Sequence, residues 1–242
     1  MRSPLILQTA LLPYLFRMAP HLPVAVGGGT ALVVCALPLI LAKSLELGEA
    51  TLLLRMASVL CAVPLALALD DPAHRTTATL PFSLTVRRLL RLALALLPLA
   101  TIWAVCGALL SAVLNPGNLV GLPLAGLSLE AATLAVVAVL LSALGLRLSK
   151  GERGSTVAAP GSVLLPLFLV LSPARSDLFA TPYTQAWASS RWIWAVLLAA
   201  AASSAAALLR ERRLTTQRVS ATRHAPHPTP SPSGDHHEAK HP

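Results

Sequence analysis

Two charged residues stand inside runs that are otherwise apolar or small. Arg55 lies in ATLLLRMASVLCAVPLALAL and Glu130 in GLPLAGLSLEAATLAVVAVLL. A charge in such a run is costly to keep and commonly marks a functional position. Arg55 and Glu130 could pair across two helices, or Glu130 could lie at an interface while Arg55 snorkels. A paired arrangement could be purely structural or could touch a substrate. A second concentration of chemistry runs from Asp70 to Arg91, DDPAHRTTATLPFSLTVRRLLR. Asp71 before Pro72 fits an N-cap followed by the first helical position, and Pro81 sets the end of such a helix near Thr79. Asp70, Asp71, His74 and Arg75 supply its polar surface. Ser83 can cap the next helix, which carries Arg87, Arg88 and Arg91 toward a headgroup layer as anchors.

Catalytic motifs are missing. There is no G-x-x-x-x-G-K-[ST] loop to cradle phosphates and no H-E-x-x-H pair for zinc. There is no G-x-S-x-G nucleophile turn either. Gly27-Gly28-Gly29-Thr30 lacks the lysine and sits in an apolar run, where it permits close helix approach. Cys35, Cys61 and Cys106 all fall within apolar runs and read as small packing residues. No cofactor or metal set is indicated, and the chain reads as a non-enzyme.

The elements that must position these residues follow from composition. Of 242 residues, 55% are hydrophobic and 12% charged, about half the charge of a soluble domain. Mean hydropathy is +0.69. These values exclude a soluble enzyme, a disordered chain and a disulfide scaffold, and point to an all-α, multi-pass membrane protein. Six runs approach the roughly 20 residues a span requires: 22–42, 50–69, 92–114, 122–146, 157–174 and 191–209. Residues 1–21 read as an interfacial helix with Arg2, Gln8 and Arg17 toward headgroups, rather than as a cleaved leader. Residues 210–242 read as a basic segment followed, from His224, by a disordered His- and Pro-rich tail.

A net charge of +9 would suggest nucleic acid in a soluble chain, but here topology accounts for it. With both ends inside, fifteen Arg and Lys residues fall in inner segments and three, Lys43, Arg175 and Arg191, in outer loops. That bias orients six spans with cytoplasmic termini. The basic C-terminal segment would also attract anionic lipid. Prolines 38, 64, 98, 123 and 166 lie in or beside spans and can kink them. In the last span Ala195, Ala199, Ser203 and Ala207 form a small stripe suited to close packing. Trp103, Trp187, Trp192 and Trp194 suit interfacial anchoring or packing.

The run L-A-L-D-D-P-A at the end of the second apolar segment, then a Thr-rich stretch, a proline and R-R-L-L-R-L-A-L-A-L, resembles permeases of ATP-binding cassette exporters. It is similar in particular to small actinobacterial membrane subunits of the ABC-2 type. The overall resemblance covers residues 1–214, and its specific part 67–96. It implies six spans and a coupling helix over Pro72–Thr79 that docks on a separate ATPase subunit through Asp70, Asp71, His74 and Arg75. It also implies a second permease copy or a paired permease, and a bacterial cell membrane. The short stretch from Ser172 to Ser190, with Arg175 and Asp177, departs from the re-entrant hairpin common before the last span of such permeases. A different class of function uses the same residues. In it, a non-transporting scaffold or regulatory subunit binds a soluble partner through the same inner loop or basic segment.

Overall fold

A computed structural model describes residues 21–68, 84–117, 120–148, 155–173 and 175–223, with the backbone alone for 84–88, 155–157, 175 and 209–223. The N-terminal interfacial segment, the coupling residues Asp70, Asp71, Pro72, His74 and Arg75, and the tail from His224 lie outside the described residues.

Seven helices follow one another: α1 (His21–Ile40), α2 (Leu47–Ala68), α3 (Leu84–Ala112), α4 (Leu124–Leu148), α5 (Ser155–Leu171), α6 (Arg175–Leu178) and α7 (Gln185–Arg223). Among the described residues there is no strand, only an isolated bridge between Leu45 and Leu114. Apolar residues surround each long helix instead of lining one stripe, as expected where the surroundings are as apolar as the core. Among the described residues, which hold the seven helices named above, five helices are long and apolar enough to cross a membrane. That fits a multi-pass membrane protein and is one fewer than the six runs read from the sequence. The remaining run is α5, 17 residues with Pro160 and Pro166 inside it. At 1.5 Å per residue it is about 25 Å long, short of the roughly 30 Å of a hydrocarbon core. It nevertheless returns the chain across the bundle, because the segment after it meets the start of α2.

Helix α2 is the centre. It packs against α1, α3, α4 and α5, and 56% of its most apolar window is buried against 22% or less in the other spanning helices. Its buried positions are mostly small, with Ala50, Ala57, Ala62 and Ala66 alongside Leu54 and Leu65. Small side chains let helices approach closely, which is how van der Waals packing is gained when lipid competes for apolar contacts. Pro64 sharpens the point. It cannot donate to the carbonyl of Leu60, and Gly27 of α1 lies against that place. A Cβ on Gly27 would stand 2.7 Å from the Leu60 oxygen and 2.5 Å from Pro64 Cγ. Pro123, in contrast, kinks nothing. It precedes α4, and its carbonyl accepts from the N–H groups of Gly126 and Leu127. Cys35, Cys61 and Cys106, on α1, α2 and α3, are free and buried in one cluster.

The loops 41–46 and 113–115 and the segment 179–184 gather at one end, where α2, α4 and α7 begin. Leu45 exchanges backbone bonds with Val113 and Asn115, Asn115 Nδ2 donates to Glu46, and the Tyr183 hydroxyl donates to the Gly121 carbonyl.

The chain forms two units, Met1–Leu209 and Arg210–Pro242. Within the first, α7 buries Ser190, Trp194, Ala201 and Ala205, while Ala199, Ser203 and Ala207 of the small stripe are exposed. Four residues advance a helix by about 400°, so a strict four-residue spacing drifts some 40° per step. The observed mixture of four- and seven-residue steps holds one face.

Candidate functional site

At the end where α2, α4 and α7 start, three charged side chains converge. Arg55 is eight residues into α2, Glu130 six into α4 and Arg191 six into α7, so each lies about 9–12 Å along its helix. The Glu130 side chain is 2% exposed, those of Arg55 and Arg191 16% and 17%. Arg55 grips the carboxylate with two parallel bonds, Nε to Oε2 at 2.8 Å and Nη2 to Oε1 at 3.0 Å. This bidentate geometry is the strong form of the arginine–carboxylate pair. From the other side Arg191 Nη2 donates to the same Oε1. One buried carboxylate thus joins three helices through two guanidinium groups.

Most of the remaining donors meet nearby oxygens, chiefly backbone carbonyls. Arg55 reaches the carbonyls of Phe179 and Ala180 at 3.4 and 3.3 Å. Arg191 donates through Nη1 to the Gly126 carbonyl and through Nη2 to Ser190 Oγ. Both guanidinium groups also rest on aromatic faces, Arg55 5.2 Å from the Phe179 ring centre and Arg191 3.7 Å from that of Trp187. Such contacts are worth most when desolvated. Gly126 makes the second stack possible, since a Cβ there would lie 2.5 Å from Trp187 Cζ2 and 3.3 Å from Arg191 Cδ. The Nε of Arg191 is buried without a hydrogen-bond partner. The cluster carries two formal positive charges and one negative, a surplus of +1 solvated by carbonyl dipoles and ring faces.

The segment between α6 and α7 closes over this cluster. Leu178 and Ala180 are buried. The Leu178 carbonyl accepts from Ser190 Oγ at 2.7 Å and from Trp194 Nε1 at 2.9 Å. Trp194 is 1% exposed, and its ring lies 5.7 Å from that of Phe179 at a tilt of 59°. Tyr183 adopts the left-handed region, φ 64°, a conformation that costs a non-glycine residue on the order of 1 kcal/mol. It is held there while its hydroxyl bonds Gly121. This segment is a short inward fold whose Phe179 and Ala180 carbonyls face the charges.

The structure brings together Arg55 and Glu130, and adds Arg191, which the sequence reading places in an outer loop. Arg87 and Arg88 fall on α3 without described side chains. Arg91 differs from its expected anchoring role. It is 4% exposed and makes a polar or ring contact of its own, so it faces protein and not headgroups. Of the two roles open to the tryptophans, Trp194 takes packing, being a core residue at 1% exposure, whereas Trp192 is 76% exposed.

Arginine does not exchange protons in a protein, so this cluster holds its three helices together and does not transfer a proton between its members. Among the described residues no group of three or more His, Cys, Asp or Glu side chains is placed to hold a metal ion. No protein-family model matches the chain, and neither does any curated protein or solved structure.

Proposed function

We propose that this chain is the membrane-spanning permease subunit of an ATP-binding cassette exporter, with ATP hydrolysis supplied by a separate ATPase subunit. The supporting observation is the Arg55–Glu130–Arg191 cluster. It is a set of charges buried in an apolar bundle that ties α2, α4 and α7 to the segment 178–184 at one end. A carboxylate shared by two arginines is a contact with discrete made and broken states, which is what a bundle switching access between two sides requires. The second support is the resemblance carried by residues 67–96, whose inner segment follows directly on α2. In this reading the ATPase pulls on Asp70, Asp71, Pro72, His74 and Arg75, α2 moves with them, and the cluster at the far end of α2 opens. A second permease copy or a paired permease completes the transporter in the bacterial cell membrane, with both termini cytoplasmic.

The test is purification of the tagged chain from native membranes in mild detergent, with identification of stoichiometric partners. The expected result is a co-purifying ATPase that carries a phosphate-binding loop. It should be lost in Thr77→Pro, which breaks the coupling helix, while membrane insertion is kept. Recovery with a stoichiometric non-ATPase partner would move the chain to the scaffold class. Normal ATPase binding by Thr77→Pro would overturn the coupling assignment.

A further inference from the structure

The cluster between α2, α4 and α7 keeps a positive charge that no bonded carboxylate cancels. Arginine stays protonated in a protein, so the surplus of +1 is permanent. Among the described residues Glu130 is the one carboxylate bonded to either guanidinium. The other acids at this end are committed elsewhere or turned to the surface. Glu49 pairs with Lys43, Glu46 accepts from Asn115, and Asp177 is exposed. The carbonyls and ring faces around the arginines lower the energy of the surplus but bring no net charge. A charge held out of water without an opposite charge is costly, so the cluster is electrically complete only with one more anion.

Donors for that anion are present. A guanidinium has five N–H groups. Arg55 commits Nε, both N–H groups of Nη2 and one of Nη1, which leaves the second N–H of Nη1. Arg191 commits both N–H groups of Nη2 and one of Nη1. Its second Nη1 N–H is left, and so is Nε, which is buried without a partner. About one-sixth of each arginine side chain is open, 16% and 17%, while Glu130 is closed at 2%. An anion approaching from outside therefore meets guanidinium and not carboxylate.

The helices aim these donors at a headgroup layer. In an α-helix every Cα–Cβ bond tilts toward the N-terminus, and α2, α4 and α7 all start at this end. The side chains of Arg55 and Arg191 therefore lean out of the apolar zone. With 22 and 25 residues, α2 and α4 are about 33 and 37 Å long. That slightly exceeds the roughly 30 Å of a hydrocarbon core, which brings their starts to the phosphates. Beside Arg191 on α7, Trp192 and Val196 are 76% and 64% exposed, an apolar face on which the tail of a lipid can lie.

We propose that the open side of the Arg55–Arg191 pair binds one anionic phosphate group, which supplies the negative charge the cluster lacks. The lean of the side chains and the apolar face beside Arg191 favour a phosphate carried by a lipid over a free phosphate ion. The inference rests on the charge balance and the membrane, not on the exporter reading, and its test contains no ATPase, so either can fail alone.

The test follows thermal unfolding of the full chain in a neutral maltoside detergent by near-ultraviolet circular dichroism. Phosphatidylglycerol is compared with phosphatidylcholine of the same acyl chains, whose phosphate is cancelled by choline. Relative to phosphatidylcholine, saturating phosphatidylglycerol should raise the wild-type Tm by on the order of 5 °C. Arg55→Gln lowers the surplus to zero and should respond less than half as much, and that residue measures lipid bound by the basic C-terminal segment. Glu130→Gln raises the surplus to +2 and should respond more than wild type, whatever its own baseline. The double variant returns to +1 and should respond as wild type does. Inorganic phosphate at constant ionic strength separates the sources. The same ranked response to it assigns the site to a free phosphate ion, and no response assigns it to the lipid. Absence of a wild-type shift with both probes would overturn the proposal. So would equal shifts in Arg55→Gln, wild type and Glu130→Gln, which would place the bound anion away from this cluster.

Discussion

Removing the charge of Glu130 should damage this protein more than removing the charge of either arginine. The cluster holds two guanidinium groups and one carboxylate, with Glu130 almost fully buried and each arginine about one-sixth exposed. Glu130→Gln keeps the shape but raises the formal surplus from +1 to +2 and leaves both arginines without an anion. Orphaning one side of a buried pair costs about 3–5 kcal/mol. Arg55→Gln, in contrast, lowers the surplus to zero and leaves Glu130 with Arg191. Its cost is that of lost charge-assisted bonds, about 1.5–3 kcal/mol. The double variant restores the surplus of +1, so adding Arg55→Gln should recover part of what Glu130→Gln loses. The three buried cysteines supply the assay. A fluorogenic maleimide reacts with them only as the bundle opens, and a temperature ramp in detergent gives an apparent Tm. At about 2–4 °C per kcal/mol for a chain of this size, Glu130→Gln should lower Tm by on the order of 10 °C, with Arg55→Gln between it and wild type. Equal shifts for the two single variants would refute the charge-balance argument. A double variant less stable than Glu130→Gln alone would refute it too.

Two glycine substitutions test the packing that frames the site. Gly126→Ala places a methyl against Trp187 and should cost about 1–3 kcal/mol from overpacking, read as a lower Tm in the same thiol assay. Gly27→Ala meets the immovable Leu60 carbonyl and should destabilise by a similar amount. Gly29→Ala, two positions on, meets nothing within 4 Å and should be neutral or gain up to about 1 kcal/mol in helix propensity. The same shift for Gly27→Ala and Gly29→Ala would contradict the close approach of α1 and α2.

The spans were legible because hydropathy over about 20 residues is a one-dimensional property, and the starts and ends of α1, α2 and α4 lie within three residues of the apolar runs. Arg55 and Glu130 were legible because a charge inside such a run stands out without knowledge of its neighbours. Arg191 was not. The polar residues Gln185, Ser189 and Ser190 precede it, so an apolar run begins only at its position, while the helix begins six residues earlier. Had the helix start been known, its depth would have matched that of Glu130. The burial of Arg91 was hidden for a related reason, and the choice between anchoring and packing for Trp194 stayed open. Both stand near the end of an apolar run, which suggests an interface, but burial depends on which face of the helix meets protein. Nearly uniform apolarity around the helix leaves that face unmarked. The inward fold of residues 178–180 was hidden by Arg175 and Asp177, whose charges make the connection read as a surface loop.

Helix α2 connects the features that these arguments treat separately. Arg55, the buried stretch from Ser58 to Leu65, and Pro64 facing Gly27 all lie on it, within about 15 Å of axial length. The residues read as a coupling helix follow directly from its end. A continuous helix from Leu47 to Ala68 carries displacement along its length, so a pull at its C-terminal end would act on the buried stretch 58–65 and the ion cluster together. The compliant point is Pro64, where one backbone bond is missing. That bond is missing on the α1 side, at the Leu60 carbonyl beside Gly27. If α2 is the lever of a transport cycle, stiffness there should matter as much as the charges. Pro64→Ala would restore the missing donor, and the exporter reading then expects ATPase binding to survive while substrate transport falls. Unchanged transport in that variant would mean that α2 moves as a rigid rod, and that Pro64 serves only to seat α1.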